Sequence, residues 1–323
     1  MDKNKAINLM NEMGRDQIPF LFIIDSDMES PLVFPIAEID KRELLFNING
    51  FSNSSLQPVV KHAIVFDRFP IPQAEYSLKF QKVMKQIAKG NTYLLNLTCP
   101  TRINTNLTLP EIFAQSSARY KLLIRDSFVV FSPESFITIV DGKIASFPMK
   151  GTIDAAMENA EHVILNDPKE IAEHHTIVDL IRNDLSMIAT EVFVEKFRYV
   201  EKLRTSQGNL LQVSSKITGH LRTDYHKHIG DIVFTLLPAG SVTGAPKKKT
   251  VEIIRETENY KRGYYTGIFG YFDGAKLDSG VMIRFIEKTH EGMIYKSGGG
   301  ITSFSRMESE YQEMIDKVYV PFN

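Results

Sequence analysis

The chain has 323 residues, 43% apolar and 24% charged, a composition that excludes wholesale disorder. Lys plus Arg number 38 and Asp plus Glu 39, a net charge of −1, so no nucleic-acid partner and no membrane attachment are expected. The single cysteine, Cys99, excludes an intrachain disulfide and a cysteine-only metal site, and it fits a reducing, cytoplasmic location.

The start, MDKNKAINLMNEMGR, mixes both charge signs without an apolar h-region, so no signal peptide is expected. No apolar run nears the roughly 18 residues of a membrane helix. Strands are expected at Phe20–Ile24, Ala63–Phe66, Tyr93–Thr98, Ser127–Phe131, Phe136–Val140, Gly267–Phe272 and Val281–Glu287. Between such runs, Asp141-Gly142 and Asp273-Gly274 are tight-hairpin signals, which make the joined strands antiparallel. Phe80, Val83, Met84 and Ile87 share one helix face, with Gly90 as the residue that ends the helix. Asp167, Pro168 and Glu170 are N-cap, first-turn proline and N3 glutamate of a helix reaching about Arg182. Pro246 opens another helix, through about Asn259, and Ser305 with Glu308 forms a capping box before the last one. Hairpins and helices in irregular order argue for an α+β fold rather than a parallel βαβ sheet.

Glu170 and Glu173, and again Glu310 and Glu313, stand three apart on a helix, so each pair shares a face. Two such pairs suit a hard divalent cation bound through oxygen, with water completing the shell. For either pair alone a solvated helix face is the commoner meaning, since exposed Glu is common, and Glu313 with Lys317 also reads as an i, i+4 ion pair. Gly240–Lys249, GSVTGAPKKK, runs into a helix start whose N–H groups suit a carboxylate or phosphate, or it is a plain turn and cap; the P-loop spacing is absent. Gly298-Gly299-Gly300 allows close backbone approach or positive φ, as does any flexible loop. Lys150, between Met149 and Gly151, is either an exposed cation or a desolvated amine of lowered pKa and hence a nucleophile. His174-His175 has no zinc spacing, and no GxSxG nucleophile turn is present.

Together and in this order, these segments resemble one family. SPESF (Ser132–Phe136), PMKGT (Pro148–Thr152), Glu170–Leu185 with its IVDLIRNDL, GSVTGAPK, RGYYTG (Arg262–Gly267), Ile283-Arg284, and GGGI followed by the last ExxE and Lys317 are similar to the chorismate-utilising enzymes. The resemblance covers about residues 70–323. It implies one α+β catalytic domain over 1–323, with 1–70 a short N-terminal part and 71–323 the chorismate-binding core. It also implies two antiparallel β-sheets forming a sandwich flanked by helices. That reading replaces the two domains suggested by length.

The resemblance further implies that Glu170, Glu173, Glu310 and Glu313 hold Mg²⁺, which binds a carboxylate of chorismate. Thr243, Tyr265, Arg284, Lys317 and the backbone of Gly298, Gly299 and Gly300 become the substrate-binding set. Glu134 becomes the general acid toward the departing C4 hydroxyl. Lysine at 150 resembles aminodeoxychorismate synthase component I, where the amine attacks C2 and ammonia then enters at C4; anthranilate and isochorismate synthases have Ala there. Hydroxide is a poor leaving group, so a nucleophile plus an acid makes chemical sense. Leu94 stands where isochorismate and salicylate synthases carry a water-activating Lys, and Gln212 where many members have His; both weigh against water addition or pyruvate elimination. The chain carries no glutaminase motif, so a glutamine amidotransferase subunit is expected to supply ammonia. Anthranilate synthase component I and, in another class, a non-catalytic chorismate-binding relative remain the alternatives.

Overall fold

The computed structural model describes residues 1–58, 63–205 and 208–322. The chain gathers into two compact units, neither of them contiguous in sequence. The first takes Met1–Ile39, Glu134–Ser241 and Arg262–Val281; the second takes Asp40–Pro133, Val242–Lys261 and the chain from Met282. Each is built on one nine-stranded antiparallel sheet with helices, so the α+β class with two antiparallel sheets is what the chain adopts.

In the first unit the strand order is Met149–Asp154, Gly208–His220, Lys143–Ser146, Ser135–Val140, Leu277–Val281, Ile268–Phe272, Phe20–Ile24 and Leu32–Pro35, with Thr190–Thr205 also paired along Gly208–His220. Phe20–Ile24 is apolar at every position because it lies between two partners and is buried throughout. Asp141 and Gly142 have φ of 50° and 74°, and Val140 pairs Lys143, which makes the expected two-residue hairpin. A four-residue loop at Asp273-Gly274 joins the next pair. Asp167 accepts from the Glu170 N–H and Pro168 stands in the first turn, so the helix Pro168–Ser186 begins where expected.

In the second unit the order is Gly244–Ala245, Leu94–Thr105, Gly292–Ile301, Phe285–Thr289, Phe128–Ser132, Tyr120–Ile124, Leu44–Ile48 and Phe51–Ser52; Phe66–Phe69 pairs with the far end of Leu94–Thr105. Alternate residues Leu95, Leu97 and Cys99 face a core shared with Phe80 and Val83 of the helix Gln73–Ala88, Ile253 and Ile254 of Lys247–Glu258, and Met314 of Met307–Asp316. This core fixes the last helix against the glycine-rich strand. Among the described residues no helix is long and apolar enough to cross a membrane.

Three local expectations need correction. The run Val281–Glu287 is not one strand: it breaks at Met282–Arg284, where Arg284 takes a φ of 53°, and pairing resumes at Phe285. Ala63–Phe66 contributes only Phe66, the strand being Phe66–Phe69. Ser305 does not cap the last helix. Its hydroxyl accepts from the Thr302 N–H, and Arg306 takes the N-cap position without a side-chain bond.

Candidate active site

In the first unit Lys150 lies on the strand Met149–Asp154 and reaches the helix Pro168–Ser186. Its Nζ is 3.2 Å from Glu173 Oε2, with side chains 16% and 4% exposed. Lys169 Nζ approaches the other oxygen at 3.6 Å, yet Glu173 Oε1 is buried without a hydrogen-bond partner. Burial is the largest influence on the Lys150 ammonium and pulls its pKa down. Glu173, Glu134 and Glu170 outweigh it, and the pKa ends above the usual lysine value. The expected lowering is thus reversed: three carboxyl groups surround an amine the sequence presented only among apolar neighbours.

Glu134, just before the strand Ser135–Val140, is buried and accepts a short hydrogen bond from the Ser241 hydroxyl. Gly151 has a φ of 78°, and a Cβ there would stand 3.2 Å from Glu170 Oε2. His174 is buried, with Nε2 2.7 Å from Ser215 Oγ; burial first, then Arg198, Lys150 and His175, push its pKa down to about 4. Gln212 is buried on Gly208–His220, and its Oε1 has no hydrogen-bond partner. Tyr265 is buried in the turn after Arg262.

In the second unit Gly298, Gly299 and Gly300 are not a loop and none has positive φ; they pair with Thr98, Leu97 and Asn96 within Gly292–Ile301. Close approach explains them. A Cβ on Gly298 would fall 2.3 Å from Leu97 O, and one on Gly299 would stand 3.3 Å from Glu310 Oε2 and 3.4 Å from Glu313 Oε1. Glu310 is buried; Glu313 is paired with Lys317 Nζ at 2.6 Å, and that Nζ also donates to Gly298 O at 3.0 Å. Arg284 lays its guanidinium over Tyr319, 5.3 Å from the ring centre. Thr243 is buried with its carbonyl accepting from Asn96 N, and Leu94 is buried opposite Ala245.

Each pair suits Mg²⁺ in donor type: its ligands are oxygen only, a glycine leaves room beside it, and in the first unit a buried Glu173 oxygen has no hydrogen bond. The glutamates are described as pairs, and among the described residues no group of three or more His, Cys, Asp or Glu is placed to hold a metal.

A family model described as chorismate binding enzyme matches residues 38–322. The chain belongs to the chorismate-binding enzymes. It is 50% identical over 322 residues to an uncharacterised PabA-like protein of Pasteurella multocida, covering 99% of each. It is 30% identical over 266 residues to aminodeoxychorismate synthase component 1 of Klebsiella aerogenes, covering 78% of this chain and 58% of that enzyme. Among solved structures, a 2,3-dihydroxybenzoate-specific isochorismate synthase of Bacillus anthracis superposes with a TM-score of 0.74 over 98% of this chain and 87% of that one, at 16% identity, a likeness of fold alone. Anthranilate synthase component I of Streptococcus pneumoniae gives 0.65 at 27% identity, over 80% of this chain and 59% of that one.

Within the family motifs the sequence reading passed over Ser241 and Asp184. Ser241 lies in GSVTGAPK and is the residue that bonds the Glu134 carboxyl. Asp184, in IVDLIRNDL, lines a cavity beside Glu134. Their signal was present in the motifs, but nothing in spacing ranks one residue of a motif above another.

Proposed function

We propose that this chain is aminodeoxychorismate synthase component I, which converts chorismate and ammonia to 4-amino-4-deoxychorismate in the p-aminobenzoate branch of folate synthesis. The observation that carries the reading is Lys150: a buried amine on a strand, 3.2 Å from Glu173 and within the field of Glu134 and Glu170. A lysine offered only as charge needs no such enclosure. A nucleophile does, because it must be desolvated, held still and flanked by groups that take and give protons.

Lys150 starts protonated beside the Glu173 carboxylate and gives its proton to solvent before it attacks. The freed Nζ attacks C2, the ring double bond shifts, and the C4–O bond breaks as Glu134 protonates the departing hydroxyl to water. Ammonia then bonds to C4, the double bond shifts back, and the lysine amine leaves C2. Arg284 and Lys317, with Thr243, Tyr265 and the backbone of Gly298, Gly299 and Gly300, are assigned to the two carboxylates, for which cations and N–H donors are the matching chemistry. Glu170, Glu173, Glu310 and Glu313 are assigned to Mg²⁺. When bound, the ion supplies neutralisation of the glutamates and an oxygen-seeking centre for a substrate carboxylate.

Ammonia is expected from a glutamine amidotransferase subunit. Cys99 is the one cysteine of the chain, and burial, then Glu258, pushes its thiol up to about 12, so it is no glutaminase nucleophile. The test is chorismate with ammonium and Mg²⁺, followed by product mass. Aminodeoxychorismate with ammonium, none with glutamine alone, and none in excess chelator are expected. Anthranilate with pyruvate would assign the chain to the other branch of the family, and full activity in chelator would remove the glutamates from metal binding.

A further inference from the structure

The first unit contains a small cavity of about 20 Å³ beside Glu134. The strand Ser135–Val140 forms one wall, the helix Pro168–Ser186 with Ile181, Asp184 and Leu185 another, and Leu236 and Gly240 close it. Gly240 makes this closure possible, since a Cβ there would press to 2.8 Å from Leu180 Cδ2 and stand 3.6 Å from Asp184 Oδ2. The polar groups facing the space are the carboxyls of Glu134 and Asp184 and the hydroxyls of Ser135, Ser146 and Ser241. Ser146 donates to Phe136 O at 2.9 Å and Ser241 donates to Glu134, so both hydroxyls have their protons engaged and keep acceptor lone pairs.

Such a lining selects strongly. Two carboxyl groups repel a dianion, so the cavity does not take a carboxylate of chorismate. Its free space admits water-sized molecules, not a ring. Two carboxyl groups and hydroxyls that already donate elsewhere, set among apolar residues, suit a small cation that donates hydrogen bonds.

We propose that this cavity is the holding site for the ammonium ion consumed at C4, with Asp184 as its principal anchor. The inference rests on the aminating function proposed above. It also explains why the cavity abuts Glu134. Having protonated the departing hydroxyl, Glu134 is a carboxylate. An ammonium ion beside it returns the missing proton and becomes ammonia, whose lone pair attacks C4 while the C2–Nζ bond breaks. Lys150 leaves as a neutral amine and the product keeps its new nitrogen as R–NH₃⁺. The sum is chorismate plus ammonium giving aminodeoxychorismate plus water, with Glu134 again an acid.

The experiment measures ammonium-dependent turnover of the full chain with Mg²⁺. Asp184→Asn is expected to raise the KM for ammonium at least about tenfold, the loss expected for one charge-assisted hydrogen bond. The KM for chorismate, and any Lys150 adduct seen by intact mass without ammonium, should stay as in the wild type. Leu236→Ala widens the cavity and should let methylammonium serve, giving a product 14 mass units heavier, about one added CH₂, that the wild type does not form. Leu185→Val gives a milder widening if the alanine variant fails to fold. A wild type that aminates chorismate, with an unchanged ammonium KM in Asp184→Asn and no methylamine product in either widened variant, would overturn the cavity assignment alone. A wild type that forms no aminated product would overturn the function beneath it.

Discussion

Each unit sets an E-x-x-E pair on a helix against a glycine on a strand and adds a lysine, yet the two lysines are placed differently. In the first unit Lys150 stands on the strand and pairs with Glu173, the buried member of its pair. In the second, Lys317 follows the helix and pairs with Glu313, the half-exposed member, while also holding Gly298 O. The first arrangement confines an amine among carboxyl groups. The second ties a helix end to a strand and leaves its ion pair in contact with solvent. The same short motif therefore encloses a largely buried ion pair in one unit and a half-exposed one in the other.

Replacing the two lysines separates these roles most sharply. Lys150→Ala should lower kcat for amination at least as far as loss of a general acid does, about 10²–10⁴-fold, with the KM for chorismate little changed. Lys150→Arg should not rescue it, since guanidinium stays protonated and cannot attack carbon. Steady-state kinetics with intact-mass detection of an adduct on the wild type decides the matter; substantial amination by the arginine variant would discard covalent catalysis.

Much of this comparison is legible before folding. Asp167, Pro168 and Glu170 announce their helix because cap, first-turn proline and N3 glutamate are local chemistry. Asp141-Gly142 announces its hairpin because few residues accept two consecutive positive φ values. The N-terminal helix Lys3–Arg15 left a readable trace in Ala6, Met10 and Met13, which share its buried face, but Ile7 and Leu9 beside that face blurred the apolar period. The paired strands Thr190–Thr205 and Gly208–His220 were illegible for a different reason. Charged and apolar residues mix along Thr190–Thr205, and three register shifts interrupt the period-two pattern. At the site, residue types were readable and their electrostatics were not. Lys150 sits between apolar neighbours in sequence, and Glu134, Glu170 and Glu173 reach it only through the fold.

The carboxylates should differ as the lysines do. Glu173→Gln removes the nearest counter-charge of a buried ammonium, and such losses cost about 3–5 kcal/mol. Glu134 and Glu170 remain, so the lower end is expected, read as a reduced urea midpoint in metal-free protein. His174 adds a pH dependence to the same unit. Its pKa is about 4 in the folded chain against the ordinary 6.5, so on acidification the unfolded chain takes the proton first. Stability present above pH 6.5 should therefore fall by roughly 3 kcal/mol as pH drops toward 4. His174→Gln should flatten that slope in metal-free unfolding curves at successive pH values, and an unchanged slope would assign it to other groups.

The smallest effect belongs to Glu313→Gln. Its carboxylate is 38% exposed and its partner Lys317 30% exposed, so solvent screens the pair, and such contacts contribute about 0–1 kcal/mol. The amide keeps an oxygen that can accept from Lys317, and Lys317 keeps its bond to Gly298 O. Thermal unfolding without metal should thus move far less than for Glu173→Gln. If Glu313 holds Mg²⁺, however, the variant should need a higher Mg²⁺ concentration for half-maximal activity, because an amide oxygen is the poorer ligand for a hard cation. A small stability change with a large shift in metal demand separates a ligand from an ornament of the helix end. A large loss of stability with unchanged metal demand would reverse the contrast between the two units.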